Sequence, residues 1–178
     1  MDHLLPLDLE KIGQPREYRL YYDGKGGYRG AERGHLHLTA VRRSKSGARD
    51  DFDLEVFPYA ETAVLELPKR NVLIVKQTGL GVPAGDQFNL FSSANGRLYR
   101  VQFLDGPRSE PIIFGEHYSA GSPAKISFLD GGRVIKTINA WPLGDKIHFK
   151  RYEWDGANFR LTTSFDCKLG KCPDVTKD

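Results

Sequence analysis

Residues 146–165 read Lys-Ile-His-Phe-Lys-Arg-Tyr-Glu-Trp-Asp-Gly-Ala-Asn-Phe-Arg-Leu-Thr-Thr-Ser-Phe. Two runs rich in aromatic and β-branched residues, 146–154 and 158–165, flank the dipeptide Asp155-Gly156. Asp-Gly tolerates the positive φ angles that tight hairpin turns need. In the second run apolar and polar residues alternate, which is typical of a half-buried antiparallel strand. The stretch therefore predicts a β-hairpin.

The same turn signal recurs along the chain, and most copies lie between apolar runs that favour strands. The other copies are Asp23-Gly24, Asn95-Gly96, Asp105-Gly106 and Asp130-Gly131. The remaining predicted strands are 17–23, 34–43, 52–58, 62–67, 71–78, 87–93, 97–104, 110–115, 124–129 and 133–139. This density of short strands predicts an all-β fold with a single antiparallel domain of about 10–12 strands, built as a sandwich or a propeller-like meander.

Two strands depart from simple alternation. Residues Val72–Val75 are all apolar, which predicts a central strand covered on both faces. In 146–154 the apolar phase slips near Lys150-Arg151, which predicts a β-bulge there. We expect one domain over residues 1–178, in which residues 1–14 form an N-terminal arm or a short helix that covers part of the core.

Bulk composition excludes two classes of protein. The chain has 178 residues, of which 39% are hydrophobic and 28% charged, so intrinsic disorder is not expected. No stretch approaches the roughly 18 apolar residues that a membrane helix needs, so no membrane insertion is expected. The formal net charge of +3 neither requires nor excludes an anionic partner.

The two cysteines, Cys167 and Cys172, lie in the C-terminal tail, residues 166–178. Gly170 between them lets the chain turn, so we predict a small disulfide loop. A disulfide predicts a periplasmic or secreted protein. Since Met1–Leu9 lacks a basic n-region, the signal peptide of such a protein is expected to be absent from this sequence. If the cysteines are reduced, the expected location is the cytoplasm.

The segment Tyr152–Phe159 resembles a hairpin of small bacterial envelope and secreted β proteins. The resemblance covers eight residues, and it implies no functional residue.

The stretch Arg16–Gly34 combines four tyrosines with five basic residues and several glycines. Tyr and Arg are enriched at the energetic centres of protein interfaces. The stretch therefore predicts a binding surface, to which the basic loop Arg42–Arg49 could contribute. The predicted binding residues are Arg19, Tyr21, Tyr22, Lys25, Tyr28, Arg29, Arg33, Arg42 and Arg43. The alternative is that Tyr18, Leu20 and Tyr22 form a stripe that faces the core.

His35 and His37 are two positions apart, so both project from one strand face. Such a pair could begin a metal site, but a solvated outer face is the preferred interpretation, and no metal or other cofactor is predicted. The acidic run Asp50–Glu55 is similarly interpreted as a charged outer face rather than a calcium loop.

No catalytic signature is recognisable, so we expect a protein that is not an enzyme. The preferred hypothesis is a non-catalytic domain of the bacterial envelope or periplasm that binds one protein partner, such as an inhibitor or immunity protein against a toxin or hydrolase. A second hypothesis is a nucleic-acid or polyanion-binding β domain that uses the two basic loops. A third is a carbohydrate-active or metal-dependent enzyme on a β scaffold.

Overall fold

Fifteen β-strands and one 3-10 turn make up the part of the chain that the computed structural model describes. The described residues are 2–24, 35–41, 50–54, 60–78, 84–110, 112–117, 125–140, 146–168 and 170–173. The strands are β1 (Asp2–Leu7), β2 (Arg16–Tyr22), β3 (Leu36–Ala40), β4 (Asp51–Asp53), β5 (Ala60–Leu67), β6 (Arg70–Thr78), β7 (Ala84–Ala94), β8 (Arg97–Arg100), β9 (Phe103–Asp105), β10 (Arg108–Glu110), β11 (Ile112–His117), β12 (Lys125–Leu129), β13 (Val134–Ala140), β14 (Lys146–Trp154) and β15 (Phe159–Lys168). A helix long and apolar enough to cross a bilayer does not occur within these ranges.

The strands form three sheets, which confirms the predicted all-β class. A four-stranded sheet has the order β1-β2-β3-β4, and a six-stranded sheet has the order β10-β9-β15-β14-β13-β12. A five-stranded sheet has the order β11-β7-β6-β5, with β8 also paired to β7. Strand pairs of the four- and six-stranded sheets are antiparallel, except that β15 and β9 pair in parallel.

The N-terminal segment is extended, so the helical alternative predicted for residues 1–14 is wrong. Residues Asp2–Leu7 form β1, which pairs with β2 along its whole length. Pro6 is compatible with this strand because β1 lies at the edge of its sheet. Within this segment Leu9 is buried, whereas Leu4 and Ile12 are exposed and lie outside the core.

Four of the five predicted turns are confirmed, whereas the loop that follows Asp23-Gly24 lies outside the described residues. Asn95 and Gly96 both have positive φ and join β7 to β8, and Gly106 joins β9 to β10. Asp130 and Gly131 have positive φ within the 3-10 turn between β12 and β13. At the 146–165 hairpin, Asp155 accepts hydrogen bonds from the backbone N–H groups of Ala157 and Asn158.

Two further strand predictions can be compared with the structure. Residues Val72–Val75 are all buried in β6, a central strand, as predicted. The predicted strand 97–104 is instead split into β8 and β9, because the chain leaves its pairing with β7 and then pairs with β15. The predicted bulge is found as a register shift between Arg151 and Tyr152, where the extra residue, Thr162, belongs to β15.

The chain forms two compact units, and the expectation of one domain stays a prediction. The first unit comprises Met1–Gln77 and Asn89–Arg100, and the second comprises Thr78–Phe88 and Val101–Asp178. The core of the first unit is mainly aliphatic, with Tyr18 and Phe91 as its buried aromatic residues. In the second unit the ring of Phe103 stacks on that of Phe159 and meets that of Tyr152 edge-on.

Candidate protein-binding face

The four-stranded sheet of the first unit has a buried side and a solvent-facing side, and we call the latter the outer face. Leu20, Leu36 and Leu38 point to the buried side. Because side chains alternate along a strand, the odd-numbered residues of β2, β3 and β4 point the other way. Cross-strand pairing places Tyr21 beside His37, and His37 beside Asp53. The outer face thus collects polar and aromatic side chains from neighbouring strands.

A row of stacked cationic and aromatic groups crosses the centre of the outer face. The guanidinium of Arg19 donates two hydrogen bonds to the carboxylate of Asp2, with N–O distances of 2.9 and 2.6 Å. The same guanidinium lies 4.9 Å from the centroid of the Tyr21 ring. That ring stacks on His37 at a centroid distance of 5.1 Å. These contacts hold Arg19, Tyr21 and His37 in one arrangement.

Both histidines of the outer face are paired with aspartates. Nδ1 of His35 is 2.6 Å from Oδ2 of Asp53. Nε2 of His37 is 3.0 Å from Oδ2 of Asp23, and its Nδ1 is 3.6 Å from Oδ1 of Asp51. Carboxylates on both sides of the His37 ring, together with the Tyr21 stack, fix the orientation of that ring.

The electrostatics of this face favour ionised carboxylates. The backbone N–H of His35 and then the side chain of His37 donate to Asp23, and they lower the pKa of this carboxyl group. The hydrogen bonds from Arg19 likewise lower the pKa of Asp2, and the aspartate raises the pKa of Arg19 in return. Both aspartates therefore carry their negative charge at neutral pH.

Acidic side chains outnumber basic ones on the described part of the outer face. Its carboxylates are Asp2, Glu17, Asp23, Asp51 and Asp53. Against these the described residues of the face offer one guanidinium, that of Arg19. Two aliphatic side chains lie on the same face, Leu4 at 61% exposure and Val41 at 39%. The described part of the outer face is therefore acidic and carries two exposed aliphatic side chains.

Asp50 does not belong to this face, although the sequence groups it with the acidic run. Its side chain is buried, and it accepts hydrogen bonds from the guanidinium of Arg97 and the backbone N–H of Leu98. The backbone carbonyl of Asp50 also accepts hydrogen bonds from Thr39 and Ala40. Asp50 therefore anchors the start of β4 rather than contributing to a surface charge.

Three of the predicted binding residues lie in the described part of the chain. Arg19 and Tyr21 stand together on the outer face, and their role in binding stays a prediction. Tyr22 points to the opposite side and packs against the core. This agrees with the alternative interpretation, in which Tyr18, Leu20 and Tyr22 face the core. The other six predicted residues lie outside the described residues: Lys25, Tyr28, Arg29, Arg33, Arg42 and Arg43.

Several residues of the face were not among the predicted binding residues. His37, Asp23, Asp51 and Asp53 surround Tyr21 or its stacking partner. The period of two in β3 does predict that His35 and His37 share a face. The register of β3 on β2 and β4 brings the aspartates to them, and no local sequence signal encodes that register.

The histidines do not complete a metal site in the part of the chain that the structure describes. Within those ranges, no three His, Cys, Asp or Glu side chains form a group that could hold a metal ion. A further histidine, His148 of the second unit, pairs with Asp166. The contacts observed here are ion pairs and ring stacks, which order these side chains locally.

The C-terminal cysteines form the predicted disulfide. Cys167 lies in β15 and is bonded to Cys172. Between them the N–H of Lys171 donates to the carbonyl of Lys168, and Gly170 has a φ of 78°. The turn at Gly170 therefore supports the disulfide loop that the sequence predicts.

Comparison with known proteins found no matching family model, no similar curated protein and no similar solved structure.

Proposed function

We propose that this chain is a non-catalytic protein-binding domain that engages one partner protein through its outer face. The observation that carries the proposal is the ordered row of Arg19, Tyr21 and His37 within an acidic surface that also exposes Leu4. Tyrosine and arginine are the side chains that most often dominate the energy of protein interfaces.

Prior ordering of the row favours binding. Immobilising a flexible side chain at an interface costs about 0.5–1.5 kcal/mol. Arg19 is already held by Asp2 and by the Tyr21 ring, and Tyr21 is held by its stack on His37. Much of the conformational entropy of these side chains is therefore lost on folding, so less remains to be lost on association.

The charge of the face supports a protein partner with a basic contact surface. On the described part of the face a polyanion would meet more carboxylates than guanidinium groups, which disfavours the binding of phosphate there. A partner rich in Lys and Arg would instead be attracted, and its association would be accelerated at low ionic strength.

The disulfide supports placing the protein in an oxidising compartment, as in the periplasmic or secreted proteins proposed from the sequence. In that setting, an inhibitor or immunity protein would use the acidic face to cover a basic active-site region of a toxin or hydrolase. Such a role needs a binding surface and no catalytic group of its own.

The test is affinity capture from a lysate of the source organism in non-reducing buffer, followed by measurement of the affinity for the captured protein. The variants are Arg19→Ala and Tyr21→Ala. The matched control is Arg133→Ala, because Arg133 forms an equally exposed ion pair with Asp130 in the second unit.

We expect each outer-face variant to weaken the complex by about tenfold or more, as truncation of an interface anchor does. Arg133→Ala should bind as the native chain does. Equal affinity for native chain, outer-face variants and control would show that the partner binds elsewhere. Capture of nucleic acid that is released by moderate salt would favour the polyanion hypothesis.

A further inference from the structure

The five-stranded sheet ends at an edge strand, β5, which shows few of the devices that discourage pairing with another chain. Within the described residues these are the charges of Glu61 and Glu66 and a hydrogen bond from Lys11 to the carbonyl of Leu67 at the end of the strand. It is eight residues long and pairs with β6 in a continuous register, without a bulge. Its residues 61–64 are exposed on both faces of the sheet, and Val64 is 41% exposed. The strand contains no Pro, Lys or Arg. Long, flat, uncovered edges of this kind present free backbone donors and acceptors to another strand.

The other outer strands of the three sheets differ from β5 in length or composition. β4 and β10 have three residues each, and β1 contains Pro6. β12 has five residues and begins with Lys125, and β11 contains Gly115. Shortness, Pro and Lys are devices that natural sheets use to block edge pairing, and Gly weakens a strand. Among the described strands, β5 therefore stands out as an edge left open.

We propose that β5 pairs antiparallel with β5 of a second copy of this chain, in the register that sets Val64 opposite Val64 of the second copy. This interface lies apart from the outer face. In this register Thr62 lies opposite Glu66, and Ala63 lies opposite Leu65. The pairing buries the exposed Val64 on the two-fold axis, where a pair of β-branched side chains stabilises an antiparallel ladder. A two-fold contact of this kind closes on itself and yields a dimer.

Charge selects this register over the one that pairs the whole strand. Full-length pairing would set Ala63 opposite Val64, and it would then set Glu61 opposite Glu66 at both ends of the ladder. Like charges directly opposite each other destabilise a strand pair. A second register, with Ala63 on the axis, avoids this repulsion but sets Val64 opposite the polar Thr62. The Val64-centred register avoids the repulsion and also pairs the exposed apolar side chains.

Disulfide cross-linking tests the register directly. Residues opposite each other in an antiparallel pair have Cα atoms about 4.5–5.5 Å apart, which suits a disulfide. We expect Val64→Cys in the native chain to form a covalent dimer on mild oxidation, and the neighbouring Ala63→Cys to stay uncross-linked. Ala63→Cys cross-linking as fast as Val64→Cys, or neither forming a dimer, would overturn the proposal.

Sedimentation of charge variants tests the association itself. We expect the native chain to dimerise reversibly, and Val64→Lys to raise the dissociation constant roughly a hundredfold, because two ammonium groups would meet on the axis. Mixing Val64→Lys with Val64→Glu should restore a dimer. The control is Thr163→Lys, which adds the same charge at an exposed β-branched residue of β15, in the six-stranded sheet, and should leave the dimer intact.

A native chain that stays monomeric at its highest soluble concentration would refute the proposal. A dimer that Val64→Lys leaves unchanged would also refute it. So would β5 amides that are protected from hydrogen exchange only when an extended peptide of another protein is added. Hydrogen exchange of the β5 amides in the native dimer and in the Val64→Lys monomer separates these outcomes, since pairing slows exchange along the edge.

Discussion

The outer face of the first unit and the polar side chains of the six-stranded sheet both carry histidine–aspartate pairs, but their charge balance differs. In the six-stranded sheet four acids each have a base of their own. These pairs are His148 with Asp166, Lys150 with Asp105, Arg151 with Glu153, and Arg160 with Asp155. On the outer face five carboxylates face three bases in the described residues, Arg19, His35 and His37, because Asp23 and Asp51 share His37.

This difference teaches that ion pairs alone do not mark a binding surface. Exposed pairs contribute about 0–1 kcal/mol each and are common on solvated sheets. An excess of one charge is a stronger indication, because it is unfavourable within the chain and is relieved by a partner of opposite charge. Exposed Leu4 and Val41 beside the carboxylates strengthen the contrast.

The largest expected effect is on stability, and it comes from replacing Asp50, which anchors the start of β4. Asp50→Ala removes a buried carboxylate that binds Arg97 and leaves the N–H of Leu98 without its acceptor. We expect a loss of about 3 kcal/mol in the free energy of unfolding, measured by urea denaturation. The exposed neighbour Asp51 is the control, and Asp51→Ala should stay within about 0.5 kcal/mol of the native chain. Equal losses would mean that Asp50 is not an anchor.

A second comparison concerns two hairpin turns, one in each unit. A Cβ added at Gly96 would lie 2.8 Å from the guanidinium of Arg16, whereas one added at Gly106 would meet nothing within 4 Å. Both glycines have positive φ. The crowded atoms are the flexible end of Arg16, which donates a hydrogen bond to the carbonyl of Gly96. We therefore expect Gly106→Ala to cost about 1 kcal/mol and Gly96→Ala about 0.5 kcal/mol more.

Thermal unfolding of the two variants measures this difference. In the Arg16→Ala background, Gly96→Ala should cost only about as much as Gly106→Ala, because the crowded side chain and its hydrogen bond to Gly96 are already absent. Losses of the same size at the two glycines would contradict the close approach of Arg16.

The smallest expected effect concerns the titration of Asp23. Its lowered pKa means that the ionised side chain stabilises the fold above the pKa of an unfolded aspartate. That contribution is lost as the pH falls through the lower folded value. His37→Gln removes one donor, so the pKa of Asp23 should rise, while the N–H of His35 keeps it below the ordinary value.

Carbon-13 NMR of the carboxyl groups measures this shift. Asp155 of the second unit is the control. Burial raises its pKa, but the N–H groups of Asn158 and Ala157 and the guanidinium of Arg160 outweigh it, and the net pKa is lowered. Arg160→Ala should raise the pKa of Asp155 and leave that of Asp23 in place. An unchanged pKa of Asp23 in His37→Gln would mean that the histidine contributes nothing.

Local signals in the sequence predict much of this fold. Asp155-Gly156 marks a hairpin because few other residues tolerate its turn, and Val72–Val75 marks a central strand because no polar residue interrupts it. The strand β1 is different, since Leu4, Leu5 and Leu7 fit an arm or a helix equally well. Its extended form follows from its pairing with β2, which is a tertiary contact.

The candidate site is less predictable for the same reason. Arg19 and Tyr21 share a face by the period of two, and so do His35 and His37. The aspartates reach the histidines only through the register of three strands that are far apart in sequence. Asp50 and Asp51 have the same chemistry and adjacent positions, yet one is buried and the other exposed. Composition alone does not separate them.

The most direct test of the central claim compares charge removal from the two surfaces. The affinity of the captured partner is measured over a range of ionic strength for the native chain, for Asp51→Asn/Asp53→Asn on the outer face, and for Asp130→Asn/Asp166→Asn on the second unit. We predict that the outer-face variant binds about tenfold more weakly, with a smaller salt dependence, while the second-unit variant matches the native chain. Equal affinities and equal salt dependence for all three proteins would contradict the assignment of the outer face as the binding surface.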